Sequence, residues 1–250
     1  MTKLALIGKG RWGKNYLSET EKIDSCEIKY IKTHDYKDLL NYKDIDGIII
    51  ATPARTHAEI IKTFPNKYLL VEKPLTINLE DALAIKNKNI MVGYTYLFNV
   101  SVIQGIKDAG TINQFNFTLH NTNSYGSKVG PIWELAPHAV SLFTKITKTP
   151  INIRSAKLKS GNLTAVLESK NCTCEISVGW DYTEKERDIT FVGKKKTIKF
   201  DGTEVNKISP LQNEIRSFIN FIQKGKNIST LKDGIKVVEL LAKIEKACTI

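Results

Sequence analysis

The sequence has no run of about 18 consecutive apolar residues, which argues against a transmembrane helix. It begins Met-Thr-Lys and passes at once into an apolar strand, without the basic and apolar regions of a secretory signal peptide. We therefore expect a cytoplasmic protein with no membrane partner. Its 250 residues, 42% of them hydrophobic and 25% charged, are enough for one large domain or two modest ones.

Cysteine is scarce, with four residues in the chain. Cys172 and Cys174 alternate on a predicted strand, so their side chains point to the same face. A Cys-x-Cys pair without further Cys or His nearby is a poor zinc pattern. We expect no metal and four reduced, structural thiols, in keeping with an intracellular location.

The net charge of +11 and the pI near 9.3 raise the question of a polyanionic partner. The lysines are scattered, and their densest run, residues 194–196, follows Gly193 at a predicted hairpin tip. No RNA- or DNA-binding motif accompanies them, so we expect no nucleic-acid partner. A basic surface also suits small anionic molecules such as dinucleotides and nucleotide-sugars.

A glycine-rich turn is the most informative feature that is present. The apolar strand Leu4–Ile7 runs directly into Gly8-Lys9-Gly10-Arg11-Trp12-Gly13, and a helix is predicted from about Trp12. In a G-x-G-x-x-G turn, Gly8 makes the tight bend, Gly10 lets the backbone approach a pyrophosphate, and Gly13 lets the helix pack on the strand. The helix N-terminus favours phosphate binding.

The end of the second strand, predicted over 27–32, leaves the coenzyme undecided between NAD and NADP. An acid at this place accepts hydrogen bonds from the adenosine ribose and favours NAD. Thr33 stands there instead, between Lys32 and His34, and this pair of residues tolerates a 2′-phosphate. Asp35 lies two residues further on, so a small shift in register restores the acid.

Strands then alternate with helices, which predicts a parallel doubly wound α/β sheet. Thr56 and Glu59 form a predicted capping box at the start of one helix, and Asn78 with Asp81 starts the next. The predicted strands are residues 47–50, 68–71 and 89–92.

Lys73 follows one of these strands and precedes Pro74, which disfavours a helical backbone at Lys73. A lysine at the carboxyl end of a parallel strand lies where ligands bind in open α/β sheets. The alternative is a surface lysine before a turn proline.

Four motifs occur in a fixed order and together resemble the glucose–fructose oxidoreductase / inositol dehydrogenase (Gfo/Idh/MocA) family. They are GKGRWG at 8–13, ATPARTH at 51–57, VEKPLT at 71–76 and WELAPH at 133–138.

The resemblance implies a Rossmann dinucleotide-binding domain over residues 1–96. An α+β domain with a mostly antiparallel, open sheet is implied over residues 97–250. The coenzyme-binding residues that the resemblance implies are Gly8, Gly10, Arg11, Trp12, Gly13, Thr33, Ala51, Thr52, Pro53, His57, Glu72 and Lys73.

The WELAPH segment resembles family members that act on nucleotide-linked sugars. Those members tend to read Asp-Leu-x-Pro-His, whereas this chain has Glu134 for the acid and Ala139 where a second acid often stands. The implied substrate-binding residues are Tyr94, Trp133, Glu134 and His138. Trp133 either stacks on a sugar or base or packs as an interface aromatic, and His138 either lies beside the nicotinamide or packs at a domain interface.

After residue 99 the pattern changes to strands without long helices between the later ones, including a predicted hairpin over 189–200. Such a sheet is mostly antiparallel and leaves one face for substrate or another subunit. We therefore expect a homodimer or homotetramer.

The predicted reaction is reversible hydride transfer between the nicotinamide and a carbinol carbon of a sugar or nucleotide-sugar. Lys73 polarises the reacting oxygen, and His138, positioned by Glu134, accepts the proton. Three alternatives stay open: a catalytically silent NAD(P)-binding sensor or scaffold, a polyanion-binding protein that uses the positive charge, and another family enzyme that reduces a cyclic imine or a tetrapyrrole.

Overall fold

The computed structural model describes residues 1–123, 128–201 and 208–249. The chain forms two compact units, the first comprising Met1–Phe98 and Lys207–Ile235 and the second Asn99–Asn206 and Lys236–Ile250. The sequence predicts a domain boundary after residue 96, close to the end of the first segment at Phe98. The return of residues 207–235 to the first unit is not predicted from the sequence.

The first unit is built on a parallel sheet, as predicted. Its strand order is β2-β1-β3-β4-β5, and every neighbouring pair is parallel. The side chains of Ile48–Ile50 and Leu69–Val71 are fully buried, as expected of central strands covered on both faces. The strands are β1 (Thr2–Ile7), β2 (Cys26–Lys32), β3 (Gly47–Ile50), β4 (Tyr68–Glu72) and β5 (Ile90–Gly93).

The helices of this unit are short except for α1 and α7. Asn78 caps α3 as predicted, since its side-chain oxygen accepts a hydrogen bond from the backbone N–H of Asp81 at 2.8 Å. Short 3₁₀ helices lie at Tyr36–Asn41, Ala54–Thr56 and Thr95–Phe98. The helices are α1 (Arg11–Thr20), α2 (His57–Thr63), α3 (Leu79–Ala84) and α7 (Pro210–Lys224).

The capping box predicted at Thr56 is wrong. Thr56 is the residue that precedes α2, but its side chain makes no capping hydrogen bond. Its hydroxyl donates instead to the Pro53 carbonyl at 2.8 Å, and its oxygen lies 2.8 Å from Thr52 Oγ1, a hydroxyl that can donate to it. The hydroxyl therefore closes the 3₁₀ turn before the helix and is turned away from the helix N–H groups.

Helix α7 explains why the chain returns to the first unit. A Cβ on Gly47 would lie 2.7 Å from Ile222 Cδ1 and 2.9 Å from Phe218 Cζ, so α7 packs directly on the start of β3. Phe218 is fully buried, and Phe221 makes an edge-to-face contact with Tyr68, with ring centroids 5.0 Å apart. The segment 207–235 therefore supplies core side chains to the nucleotide domain.

The second unit contains a sheet in the order β11-β10-β6-β9-β8-β7. All neighbouring pairs are antiparallel except β6 and β9, which confirms the prediction of a mostly antiparallel sheet. The predicted hairpin is β10–β11, closed by the hydrogen bond from Gly193 N–H to the Lys196 carbonyl. The strands are β6 (Ile112–His120), β7 (Asn152–Lys159), β8 (Asn162–Ser169), β9 (Cys172–Gly179), β10 (Glu186–Gly193) and β11 (Thr197–Asp201).

The core of this unit is aromatic. Phe115 stacks on Phe191 and Phe143, with ring centroids 5.3 Å and 6.4 Å away. The helices are α4 (Val100–Ala109), α5 (Gly130–Glu134), α6 (Ala136–Ile146) and α8 (Leu231–Cys248), the last of which begins in the first unit and continues in the second.

The four cysteines are free thiols. Cys172 and Cys174 are both buried on one side of β9, as the alternation predicts. Burial raises the pKa of Cys172 to about 11 and that of Cys174 well above its ordinary value. Both thiols therefore stay protonated and act as small packing groups.

Within the described part of the chain, no helix is both long and apolar enough to cross a bilayer.

Truncating Phe218 tests the role of α7 in the first unit. We expect F218A to lower the free energy of unfolding by about 3–5 kcal/mol, because a fully buried aromatic ring is lost. The exposed neighbour K224A is the control and changes stability by no more than about 0.5 kcal/mol. Urea denaturation measures both, and an F218A variant as stable as K224A would contradict this packing.

Candidate functional site

The carboxyl ends of the central strands of the first unit meet in one row. Ile7 pairs with Ile50, Ile50 with Val71, and Val71 with Val92. The residues that follow these four are Gly8, Ala51, Glu72 and Gly93. The strand order reverses between β1 and β3, and ligands of open α/β sheets bind outside the carboxyl ends at such a reversal.

Gly8 and Gly13 are fixed by close backbone packing. Gly8 has φ +101°, and a Cβ there would lie 2.5 Å from the carbonyl oxygen of Ala51. A Cβ on Gly13 would lie 2.0 Å from the carbonyl oxygen of Gly8. Only glycine fits at either place, because the turn, the start of α1 and the end of β3 touch through main-chain atoms.

Gly10 has a different role. It is exposed, precedes the first residue of α1 with φ −72° and ψ −163°, and a Cβ there would have no atom within 4 Å. The fold therefore does not need glycine at this position, whereas a pyrophosphate approaching the backbone does. Arg11 and Trp12 form the first turn of α1, which carries no acidic side chain, so the helix dipole is not opposed there. These features fit the pyrophosphate of a dinucleotide.

His57 is a predicted coenzyme-binding residue, but its side chain is packed inside the first unit. The imidazole is fully buried, with Nδ1 3.0 Å from the Pro74 carbonyl and Nε2 3.0 Å from the Thr52 carbonyl. Burial lowers the pKa of His57, whereas its contacts with the Thr52 and Pro74 carbonyls act in the opposite direction, and the lowering is the larger effect. It joins the loop after β3 to the loop after β4, while Thr52 and Pro53 remain on the outside.

The end of β2 matches the sequence analysis. The strand stops at Lys32, and Thr33, His34 and Asp35 follow as exposed residues. The Lys32 amine lies 3.1 Å from the Asp38 carboxylate. The end of β2 thus carries the Lys32 ammonium group and the Thr33 hydroxyl, and Asp35 lies two residues after Thr33.

Glu72 ends β4 and Lys73 follows it, and the two side chains have unlike environments. Lys73 is half-buried, whereas Glu72 is only 4% exposed. Glu72 Oε2 accepts a hydrogen bond from the Lys73 backbone N–H at 3.0 Å, and Oε1 lies 2.9 Å from the Tyr16 hydroxyl. That hydroxyl also lies 2.7 Å from Glu214 Oε1. The prediction that Glu72 contacts coenzyme therefore needs correction, since its carboxylate is held inside the first unit.

Tyr94 also departs from its predicted role in substrate binding. Its side chain is fully buried in the first unit, and none of the described residues hydrogen-bonds its hydroxyl. Burial, with the nearby charge of Asp233, raises its pKa far above the ordinary value. Tyr94 is a core residue because it directly follows β5 and turns inward.

In the second unit, His138 is the third residue of α6 and is 8% exposed. Val140, Leu142 and Phe143 are fully buried on the same helix, as predicted. Glu134 ends α5 and is half-buried.

Trp133 is an internal residue. It is 6% exposed, and its indole N–H donates to Glu245 Oε1 at 2.8 Å. Of the two roles considered for Trp133, internal packing fits the structure, and a stacking surface for a sugar does not.

Tyr16 and Glu214 were missed by the sequence analysis. Glu214 carries a detectable signal, because it is a carboxylate three residues after Leu211 and four before Phe218, on the apolar side of α7. Tyr16 carries none, since an aromatic residue on the inner side of α1 reads as ordinary core.

Comparisons with known proteins agree with this geometry. Residues 14–93 match the model of the Gfo/Idh/MocA oxidoreductase family, described by its NAD-binding Rossmann fold. An uncharacterized oxidoreductase of Bacillus subtilis, YrbE, is 33% identical over 122 residues, which are 38% of this chain and 36% of that protein. The 4-carboxy-2-hydroxymuconate-6-semialdehyde dehydrogenase of a Sphingobium species is 30% identical over 181 residues, 56% of this chain and 58% of that protein. The chain thus covers less than two thirds of either relative.

One solved structure resembles nearly the whole chain. The scyllo-inositol dehydrogenase of Lactobacillus casei, with bound NAD(H) and scyllo-inositol, gives a TM-score of 0.83 at 15% identity, over 99% of this chain and 96% of that one. At this identity the likeness shows the fold.

Two glycine substitutions separate coenzyme binding from folding. We expect G10A to keep the wild-type melting temperature and to weaken NADH binding by about tenfold or more, because its methyl group occupies the space of the pyrophosphate.

G13A is expected to lose stability by roughly 1–3 kcal/mol or more, since its methyl group meets the Gly8 carbonyl. Thermal unfolding and NADH fluorescence titration measure the pair. Wild-type NADH affinity in a folded G10A protein would argue against this pyrophosphate site.

Proposed function

We propose that the chain transfers a hydride between a nicotinamide coenzyme and a carbinol carbon of a sugar or nucleotide-sugar, because residues 14–93 match the Gfo/Idh/MocA oxidoreductase model. The observation that carries the proposal is the row at the carboxyl ends of β1, β3 and β4. It combines the turn at Gly8, the open approach at Gly10 and the lysine at position 73. When bound, the coenzyme supplies the hydride chemistry.

Lys73 is the residue of this row suited to polarise the reacting oxygen. It directly follows β4, and it is bonded to the sheet through its backbone N–H and the Glu72 carboxylate. An ammonium group donates up to three hydrogen bonds, so it stabilises negative charge on an alcohol oxygen as hydride leaves the carbon.

His138 is our candidate for the group that takes the alcohol proton. An imidazole needs little pKa adjustment to exchange a proton near neutral pH. Its place in the first turn of α6 fixes the backbone that carries it, and Glu134 precedes it by four residues. We assign Glu134 to positioning the imidazole or the substrate.

Two arguments support a polyol-like substrate. The WELAPH segment resembles members that act on nucleotide-linked sugars, and the solved structure with the same fold holds scyllo-inositol. The relative from Sphingobium is named for a semialdehyde, so substrates differ among proteins similar to this chain. A cytoplasmic location and a homodimer or homotetramer remain predictions.

The two proposed reacting groups are tested by substitution. We expect K73M and H138A each to reduce kcat at least about a hundredfold, because each removes a group that acts in the transition state. K86M, at an exposed lysine, is the matched control and keeps full activity. The assay follows nicotinamide absorbance with a panel of polyols and nucleotide-sugars.

Near-wild-type turnover in both variants would overturn the assignment. NADH binding by the wild-type protein without turnover of any compound in the panel would favour the silent sensor instead.

Coenzyme choice is tested at Thr33. We expect T33D to weaken NADPH binding by about tenfold or more relative to NADH, because a carboxylate repels the 2′-phosphate and accepts hydrogen bonds from the ribose. T33S is the control, since it keeps the hydroxyl. Titration of both reduced coenzymes measures the ratio, and an unchanged ratio in T33D would place the ribose away from the end of β2.

A further inference from the structure

Two buried glutamates both contact the hydroxyl of one tyrosine, and one of these glutamates immediately precedes Lys73 in the sequence. Tyr16 on α1, Glu72 at the end of β4 and Glu214 on α7 come from distant parts of the sequence, and all three are at most 4% exposed. The Tyr16 hydroxyl oxygen lies 2.9 Å from Glu72 Oε1 and 2.7 Å from Glu214 Oε1. Both distances are those of good hydrogen bonds.

A count of protons shows that both carboxyls cannot be ionised. A phenol has one proton, so it donates to one of the two oxygens. The remaining short contact needs a second donor, because two oxygens without a proton between them repel each other. That donor is a protonated carboxyl group on one of the glutamates.

The surroundings distinguish the two glutamates. Burial raises the pKa of Glu72, but the positive charge of Lys73 and the hydrogen bond that Oε2 accepts from the Lys73 backbone N–H both favour its ionised form. Glu214 Oε2 is buried and accepts no hydrogen bond from any described residue, although the nearby Thr95 hydroxyl partly favours the charged form. Burial and the charge of Glu72 raise the pKa of Glu214 well above its ordinary value. The proton therefore belongs on Glu214.

We propose that Glu214, Tyr16 and Glu72 form a hydrogen-bonded chain with its extra proton on Glu214, which keeps Glu72 ionised as the counter-ion of Lys73. In this chain Glu214 donates to the Tyr16 oxygen, and Tyr16 donates to Glu72. Glu72 and Glu214 are then positioning residues that set the charge beside the proposed catalytic amine.

The packing around Tyr16, Glu72 and Glu214 leaves room for their hydrogen-bonded arrangement. A Cβ on Gly93, which pairs with Glu72 across β4 and β5, would lie 2.9 Å from Glu214 Oε1 and 3.2 Å from the Tyr16 hydroxyl. Glycine at this position leaves the space that the three polar groups occupy.

Other groups act on these side chains from the surrounding elements. The charge of Lys73 reaches the His57 imidazole on α2. The Thr95 hydroxyl favours the ionised form of Glu214.

The functional meaning of this inference rests on the proposed role of Lys73, but its test measures the amine directly. The experiment is labelling of Lys73 by acetic anhydride at a series of pH values, with the labelled peptide quantified by mass spectrometry. The pH midpoint reports the charge beside the amine, whether or not any substrate is turned over. A protein inactive towards every sugar would thus leave the inference intact.

Replacing each glutamate by glutamine is expected to change the Lys73 labelling midpoint in one variant and not in the other. We expect E72Q to lower the Lys73 midpoint by about one to three pH units, because an opposite charge is lost. E214Q leaves the midpoint unchanged, because an amide is neutral and still donates to Tyr16. E80Q, at an exposed glutamate, is the control for loss of a distant charge.

A shift in E214Q without one in E72Q would put the proton on Glu72 and overturn the assignment. Equal shifts in both variants would show two ionised carboxylates and would overturn the shared-proton chain.

Wild-type protein provides a measurement that does not depend on a buried variant folding. Infrared spectra at neutral pH are expected to show the carbonyl stretch of a protonated carboxylic acid, which disappears on alkaline titration. Absence of this band in the folded wild-type protein would contradict the proposal.

Discussion

The in-register parallel pairing of β1, β3 and β4 is the constraint on which the rest of the first unit depends. It places Gly8, Ala51 and Glu72 side by side at one edge of the sheet. Contacts between main-chain atoms at Gly8, Gly13 and Ala51 then leave almost no freedom in the loop that enters α1. The same pairing carries Lys73 to this edge, so the glycine-rich turn and the proposed reacting amine are positioned by one set of backbone hydrogen bonds.

Two carboxyl groups close to the end of β4 are a second feature of the site. The residue before Lys73 is a buried carboxylate, Glu72, whose ionised form the charge of Lys73 favours. A second carboxyl, Glu214, comes from α7, which the chain adds to the nucleotide domain only after completing most of the second unit. The late return of the chain therefore supplies both hydrophobic core and a polar partner near the site.

Local sequence was sufficient for the strands, for the glycine pattern that enters α1 and for the position of Lys73. Buried β-branched runs specify the parallel strands, and Pro74 acts on the residue next to it. The close approach of Gly13 to the Gly8 carbonyl and of Gly8 to the Ala51 carbonyl is visible only in the structure. The placement of His57, Tyr94 and Trp133 was not predictable in this way. His57 and Trp133 are held by partners 17 and 112 residues away, Pro74 and Glu245, and Tyr94 is buried without a hydrogen bond to its hydroxyl from any described residue. The Thr56 hydroxyl donates to the Pro53 carbonyl and does not cap the helix N–H groups. Residue spacing alone does not predict which of these two hydrogen bonds forms.

The central claim is that a nicotinamide dinucleotide binds at the edge where β1 and β3 end, with its pyrophosphate at Gly10 and Lys73 close to the nicotinamide. A crystal structure of the protein with NADH or NADPH tests it most directly. The account predicts pyrophosphate density against the backbone of residues 8–13 and the Lys73 amine within about 4 Å of the reacting end of the coenzyme. Density for the coenzyme elsewhere on the protein, or a Lys73 side chain directed away from the bound nicotinamide, would contradict it.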